Sequence, residues 1–313
     1  MAVFIKKMFF TALLGCFVYI AGVCLIGQLL PEYLIPNIVV KRETKSHTHN
    51  RLKEAKTVEN IDILFIGSSY TYRGFDTRFY DTIGLRTFNL GTSGQTPVQT
   101  QLLLKKYLPK MNPKLVIMSV DPYLFMSDGV GASLGIIAAD DVDFDVWGMA
   151  VRSRNFKVLN STIYIGYRNL LNPDYAEDFD PDRVIEGNTY IKGGFVETRM
   201  RTYKSESVTL QTIKFRQDQV DAFSLLVKLL KSKGIDFVLI RTPVTENRYA
   251  GYTNIQEFNS LMTSSGKFID LNHKANGFVD SLDFYDVDHL NQTGVIKFNK
   301  LTIDTLNLGN QPF

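Results

Sequence analysis

The sequence predicts an α/β fold: a three-layer sandwich with a mainly parallel five-stranded sheet, preceded by one transmembrane helix. Three observations carry this. Short apolar runs recur and end in turn residues, longer stretches with an apolar stripe at helical spacing separate them, and one uncharged interval occupies the N-terminus.

No charged residue occurs between Lys7 and Glu32, and residues 8–30 are long enough and apolar enough to cross a bilayer as a helix. Residues 1–32 are therefore read as a membrane anchor. A cleaved signal peptide usually has a shorter apolar stretch followed by polar chain, whereas here the apolar character continues. Leu13-Leu14-Gly15-Cys16 has some likeness to a lipoprotein cleavage site, but the strongly apolar residues 17–26 would then open the mature protein. Lys6 and Lys7 favour a cytoplasmic N-terminus and a domain outside the cytoplasm, against Lys41, Arg42 and Lys45 beyond the far end. Cys16 and Cys24 both lie in this segment, so the folded domain is cysteine-free, which does not by itself place it in the cytosol.

Residues 33–58 hold Pro36 and a run of Lys, Glu, Thr, His and Asn, and predict a polar juxtamembrane stalk. His47 and His49 are read as solvated linker residues in preference to metal ligands. The folded pattern, over 59–313, opens with a strand at 61–66 ended by Gly67. A second strand at 86–90 leads through Gly91-Thr92-Ser93-Gly94 to a helix over 97–108, where Pro97 suits the first turn. A third strand at 114–120 closes on Asp121-Pro122. The rhythm lapses over about 123–212, read as an insertion whose acidic cluster, Asp140, Asp141, Asp143 and Asp145, is a solvated loop; Val142, Phe144 and Val146 and the missing glycine argue against a calcium loop. It resumes with a helix over 215–231, striped by Val220, Phe223, Leu226, Val227 and Leu230, a strand at 236–240 leaving through Arg241-Thr242-Pro243, a helix near 255–262, a strand at 267–271 and a last helix over 292–306.

Composition narrows the function. With 45% hydrophobic and 21% charged residues the chain is built for a folded core, and a formal net charge of +3 with no basic, aromatic-interleaved run gives no reason to expect nucleic acid. Two short segments carry chemistry. Gly67-Ser68-Ser69-Tyr70 follows the first strand, where a parallel sheet presents groups to ligands, and Asp286-Val287-Asp288-His289 precedes the last helix. Ser69 is the expected nucleophile, His289 its base and Asp286 the carboxylate that holds the imidazole tautomer; Ser68 and Tyr70 are expected to be positional. Gly67-Ser68-Ser69 alone is also a common turn, and His289 alone a surface residue. A metal hydrolase would be the competing use of Asp286, Asp288 and His289, but no His-Glu-x-x-His run supplies further nitrogens. No cofactor is expected.

Taken as a set and in this order, the segments resemble the SGNH (GDSL-like) hydrolase superfamily. Gly67-Ser68-Ser69 is similar to its Gly-Asp-Ser block, with Ser68 in place of the aspartate. Asn89-Leu90-Gly91-Thr92-Ser93-Gly94 is similar to the second block, and Asp286-Val287-Asp288-His289 to the final Asp-x-x-His block. The resemblance implies a flavodoxin-like sheet and an oxyanion hole from the backbone N–H groups of Ser69 and Gly94. The chain departs at the third block, where Asp121 stands nearest the usual Asn; a carboxylate has no N–H to offer an oxyanion, so Asp121 is expected to bind a substrate hydroxyl or to structure the loop, and Arg241 to bind substrate. In outline the chain is similar to the membrane-anchored branch of the superfamily, the D-alanyl transfer protein of teichoic-acid modification and the proteins of alginate and cellulose O-acetylation. That likeness implies acetyl or D-alanyl transfer onto a polysaccharide or teichoic-acid hydroxyl beside a multipass membrane-bound O-acyltransferase. A carbohydrate esterase outside the cytoplasm, or a catalytically silent polysaccharide-binding scaffold, are the alternatives.

Overall fold

The computed structural model describes residues 1–39, 44–171, 184–204, 206–272 and 276–310. Its strands are β1 (Ile63–Ile66), β2 (Thr87–Asn89), β3 (Leu115–Ser119), β4 (Val184–Ile185), β5 (Asn188–Ile191), β6 (Phe195–Thr198), β7 (Asp236–Arg241) and β8 (Lys267–Asp270). Five of them form one parallel sheet in the order β2-β1-β3-β7-β8, with Ile63 opposite both Thr87 and Leu115, Leu115 opposite Asp236, and Val238 opposite Lys267. Each expected strand is present.

The central strands β1, β3 and β7 read as largely apolar runs because both faces of the sheet are covered. Leu64, Ile66, Val116, Met118 and Leu239 point into one core with the helices Pro97–Met111 and Gln217–Ser232. Their neighbours Ile63, Phe65, Ile117, Val238 and Ile240 point into the other, against Phe75, Phe284 and Phe298 of the helix Gln292–Leu306 and its approach. Strand side chains alternate, so one sheet feeds two cores. The helix expected over 97–108 runs on to Met111 through Pro109: Thr96 and Gln99 form a capping box at its start, and the proline near its end removes one intrahelical bond without stopping it.

Between β3 and β7 no described strand joins the main sheet. The insertion supplies the helices Val130–Ala139, Phe144–Arg152 and Phe156–Leu171 and the antiparallel sheet β4-β5-β6. Its acidic cluster is only partly the solvated loop expected, with Asp141 exposed and the others tied to the domain. Asp140 is buried, bonded to Tyr107 Oη at 2.7 Å and paired with Lys106 at 2.8 Å; Asp143 caps the helix Phe144–Arg152, and Lys56 and Lys105 pair with Asp141 and Asp145.

The segment expected as a stalk differs most. Ser46 to Leu52 and Ala55 are buried, and Thr48–Ala55 is a helix packed into the domain. Its polar groups have partners there: His47 Nε2 donates to Asn188 O at 3.0 Å, His49 Nδ1 to Ala139 O at 3.0 Å, Arg51 Nε to Gly194 O at 2.8 Å, and Glu54 accepts from Tyr190 Oη at 2.6 Å. Polarity was matched by backbone carbonyls, not by water. Lys41 and Arg42 lie outside the described residues.

One described helix, Ala2–Leu29, is long and apolar enough to cross a membrane. Its second half lies against Phe156–Leu171: Gly27 abuts the Tyr164 ring, and Tyr19 Oη donates to Asn160 Oδ1. Val39 N, just beyond the helix, donates to Ser161 Oγ at 2.9 Å on the same face.

Candidate active site

Gly67 makes the turn out of β1 with φ +146°, and a Cβ there would stand 2.5 Å from Thr71 Oγ1 and 2.8 Å from Ser119 O. No other residue fits without displacing backbone. The turn starts the short helix Ser69–Gly74, and both serines border an open cleft of about 440 Å³, but Ser68 is 1% exposed whereas Ser69 is only half-buried. Exposure therefore selects Ser69 as the group a substrate can reach. Thr92 N donates to Gly67 O at 3.1 Å, and Asn89 Nδ2 donates to the carbonyls of Thr71 and Phe75 at 2.8 and 2.9 Å, so the loop after β2 is tied to the Ser69 helix. Gly94, at φ +61° in that loop, lines the same cleft.

The second segment arrives from the far end of the chain. A bridge between Phe284 and Leu290 closes a bend over the residues between them, with Asn291 capping the helix Gln292–Leu306. Inside the bend Asp286 Oδ1 accepts from the backbone N–H groups of Asp288 and His289, both at 2.8 Å. The imidazole completes the contact. His289 Nδ1 lies 2.9 and 3.0 Å from the two oxygens of Asp286, and Nε2 lies 2.8 Å from Ser69 Oγ. With the proton on Nδ1 held by the carboxylate, Nε2 is bare and faces the hydroxyl, the tautomer a general base requires. Burial works to raise the Asp286 carboxyl, but the His289 hydrogen bond and charge and the two backbone donors bring it below the usual carboxylate range.

Tyr285 and Arg248, which sequence reasoning passed over, complete the surroundings together with Tyr70 and Asp288. The His289 ring lies between Tyr70, at 5.7 Å and 29°, and Tyr285, at 5.5 Å and 8°. Two aromatic faces leave the imidazole little room to tilt. Asp288 turns away from the ring: its Oδ1 accepts from Tyr70 Oη at 2.9 Å and from Arg248 Nε at 2.7 Å. Burial pushes the Tyr70 hydroxyl well above its ordinary range, and the charges of Asp121 and Asp288 add to that, so it stays a donor to Asp288. Burial works against the Arg248 cation, yet Asp121, Tyr70 and Asp288 outweigh it and hold it charged. Tyr70 followed the serine motif directly, but nothing in the sequence marked Tyr285 or Arg248 as its neighbours.

Asp121 takes the loop-structuring role that was one of its two expected uses, and Arg241 is buried away from the cleft lining. Asp121 is 3% exposed, caps the helix Pro122–Met126 through Tyr123 N at 2.9 Å and does not line the cleft. Burial raises its carboxyl while Arg241 and Arg248 oppose the rise. Arg241 is 1% exposed, paired with Asp270 at 3.4 Å and stacked over Tyr249 at 4.5 Å. Neither side chain is among those that line the cleft. Among the described residues no cluster of His, Cys, Asp and Glu has the arrangement of a metal site.

A scan against protein-family models and a search of curated proteins each find no match. Among solved structures the chain is similar to a GDSL-like lipase from Bacteroides thetaiotaomicron, with TM-score 0.42 and 11% identity, covering 85% of this chain and 99% of that one. It is also similar to a family 3 carbohydrate esterase from Clostridium thermocellum, with TM-score 0.37 and 12% identity over 80% of this chain and 98% of that one. A third is a catalytic mutant of an acetylxylan esterase from Geobacillus stearothermophilus, with TM-score 0.38 and 11% identity over 79% and 94%. Likenesses this distant assign no activity to the chain, and the case for its chemistry lies in its own side chains.

Proposed function

We propose that the chain is an SGNH-type enzyme that uses Ser69, His289 and Asp286 to transfer an acyl group, acetyl or D-alanyl, onto a hydroxyl of a cell-envelope or secreted polysaccharide. The observation that carries this is the unbroken run of contacts from Asp286 through His289 to a cleft-lining Ser69 Oγ, with steps of 2.9 and 2.8 Å. His289 Nε2 takes the Ser69 proton as Oγ attacks the acyl carbonyl carbon, and the oxyanion that forms is met by the backbone N–H groups of Ser69 and Gly94. His289 then gives its proton to the departing oxygen, which leaves an acyl ester on Ser69. An acceptor hydroxyl reverses the sequence: Nε2 removes its proton, its oxygen attacks the ester carbon, and the proton returns to Ser69 Oγ as the new ester departs.

A sugar acceptor suits the ground beside the cleft. A second groove of about 520 Å³ shares Gly94 and Tyr123 with it and carries the hydroxyls of Thr92, Ser93, Ser127 and Tyr72. Hydroxyl-rich and aromatic walls match a carbohydrate's own pattern of donors, acceptors and apolar faces. The apolar helix holds the enzyme in the membrane, N-terminus in the cytoplasm and catalytic domain on the opposite side, beside a multipass O-acyltransferase that delivers the acyl group. Packing of that helix on Tyr164 and Asn160 supports retention over cleavage as a signal.

Hydrolysis uses the same atoms with water as acceptor, and the exposed cleft favours that second reading. A fluorophosphonate probe tests the nucleophile: it labels the full chain at Ser69 and leaves Ser69→Ala unlabelled, whereas absence of labelling in the native chain supports a silent scaffold. Mass spectrometry of an oligosaccharide incubated with an acyl donor separates transfer from hydrolysis. External protease on spheroplasts digests the domain if the orientation is right and spares it if not.

A further inference from the structure

An apolar crevice of about 510 Å³ lies between the N-terminal helix and the insertion, apart from the cleft that holds Ser69. Ile20 and Cys24 of the N-terminal helix form one wall, and Trp147, Ile163, Tyr167 and Leu170 the greater part of the other, with Asp141, paired to Lys56, and Asn169 as its polar members. Each helical residue rises 1.5 Å, so Cys24 and Ile20 stand roughly 8 and 14 Å below the helix end at Leu29. Against a hydrocarbon core about 30 Å thick, both fall within one leaflet. Whatever fills the crevice is therefore at the depth of acyl chains.

Exposed side chains nearby have the composition of a membrane surface. Leu170 and Leu171 are 84% and 65% exposed at the end of the helix that packs on the anchor. Val151 and Phe156, 64% and 75% exposed, alternate with Arg152, Arg154 and Lys157, as in segments that place apolar groups under lipid headgroups and cations among them. Size decides against a partner helix. One turn of helix, about 10 Å across and 5.4 Å tall, already displaces roughly 420 Å³, so the crevice holds little more than one turn and suits a chain of methylenes better.

We propose that acyl chains of the domain-side leaflet fill this crevice, so that the insertion is seated in the bilayer as well as attached through the anchor. The proposal rests on the anchor reading of the N-terminal helix. Trp147 is the only tryptophan of the chain, so intrinsic fluorescence reports on the crevice wall alone. In liposomes containing the full chain, phosphatidylcholine brominated near mid-chain should quench that fluorescence by more than half relative to unbrominated lipid, and aqueous iodide should have little effect. Quenching by iodide without quenching by bromolipid would overturn the proposal by showing water in the crevice; quenching by neither would overturn it by showing protein there. Alkaline carbonate extraction separates the two readings: loss of the chain from the liposomes defeats the anchor and the crevice assignment together, while a retained chain with unquenched Trp147 defeats the crevice assignment alone.

Discussion

In an Asp286→Asn variant the side chain keeps its shape and loses its charge. Oδ1 of the native carboxylate accepts two backbone N–H groups at 2.8 Å, so the amide oxygen of the variant is retained there and its NH₂ takes the place of Oδ2, 3.0 Å from His289 Nδ1. The amide oxygen still faces Nδ1 at 2.9 Å as an acceptor, but the NH₂ beside it repels an Nδ1–H and favours the tautomer with its proton on Nε2, against Ser69 Oγ at 2.8 Å. The base is then blocked, and the imidazolium of the transition state loses its counter-charge. A loss of about two to four orders of magnitude in kcat is expected, roughly 3–5 kcal/mol of transition-state stabilisation, with little change in KM. Initial rates of 4-nitrophenyl acetate hydrolysis by the full chain measure it. Asp288→Asn is the control: its carboxylate meets Tyr70 and Arg248 instead of the imidazole, and about a ten-fold loss or less is expected. A natively folded Asp286→Asn enzyme with near-native kcat, or an Asp288→Asn enzyme that is the more damaged of the two, refutes the orientation argument.

Ser69→Ala and His289→Ala should each lower ester turnover by orders of magnitude, and the double variant should be scarcely worse than either, because the two groups act on one proton; additive losses would show that they work separately. If Ser69→Ala kept its turnover and Ser68→Ala lost it, the nucleophile would have been misassigned. Gly67→Ala should destabilise by about 2–4 kcal/mol, read as a lowered Tm, since its Cβ meets Thr71 and the Ser119 carbonyl and its φ is unfavourable for alanine. Arg248→Met should cost about 3 kcal/mol at neutral pH by removing the 2.7 Å partner of Asp288 and one of the two nearby cations that oppose the burial of the Asp121 charge. The Asp121 carboxyl is already raised in the fold, so its charged form is the destabilising one: stability falls as pH rises from its unfolded to its folded pKa. The deficit of Arg248→Met should therefore shrink on acidification, and denaturant melts in which it grew instead would contradict the pairing.

The central strands were legible because a parallel sheet covered on both faces leaves a simple trace, an apolar run ended by Gly67 or by Asp121-Pro122, while the edge strand before Gly91 alternates polar and apolar residues. The Ser69, Asp286 and His289 positions were legible because each sits in a short segment beside the end of an element. What surrounds them was not. Arg248 meets Asp288 across 40 residues, and Tyr70 meets Asp288 across 218, so neither contact has a local signature. The misread stalk has a related cause. Composition reports that residues 46–55 are polar, but only tertiary structure shows that Asn188, Ala139 and Gly194 hold carbonyls ready for His47, His49 and Arg51.

The docking of both flanks of the segment after the apolar helix has a mechanical consequence. Gly27 is seated on Tyr164 before it, and Ser46 to Leu52 are locked into the domain after it. A chain fastened at both ends to the same body cannot pay out like a tether. In a membrane, Ser69 would stand at one fixed height and in one orientation, free to rotate about the membrane normal and to diffuse laterally but not to swing upward. On the function proposed above, its search for partner and acceptor would become two-dimensional, and a polymer strand would have to come down to its level to be modified.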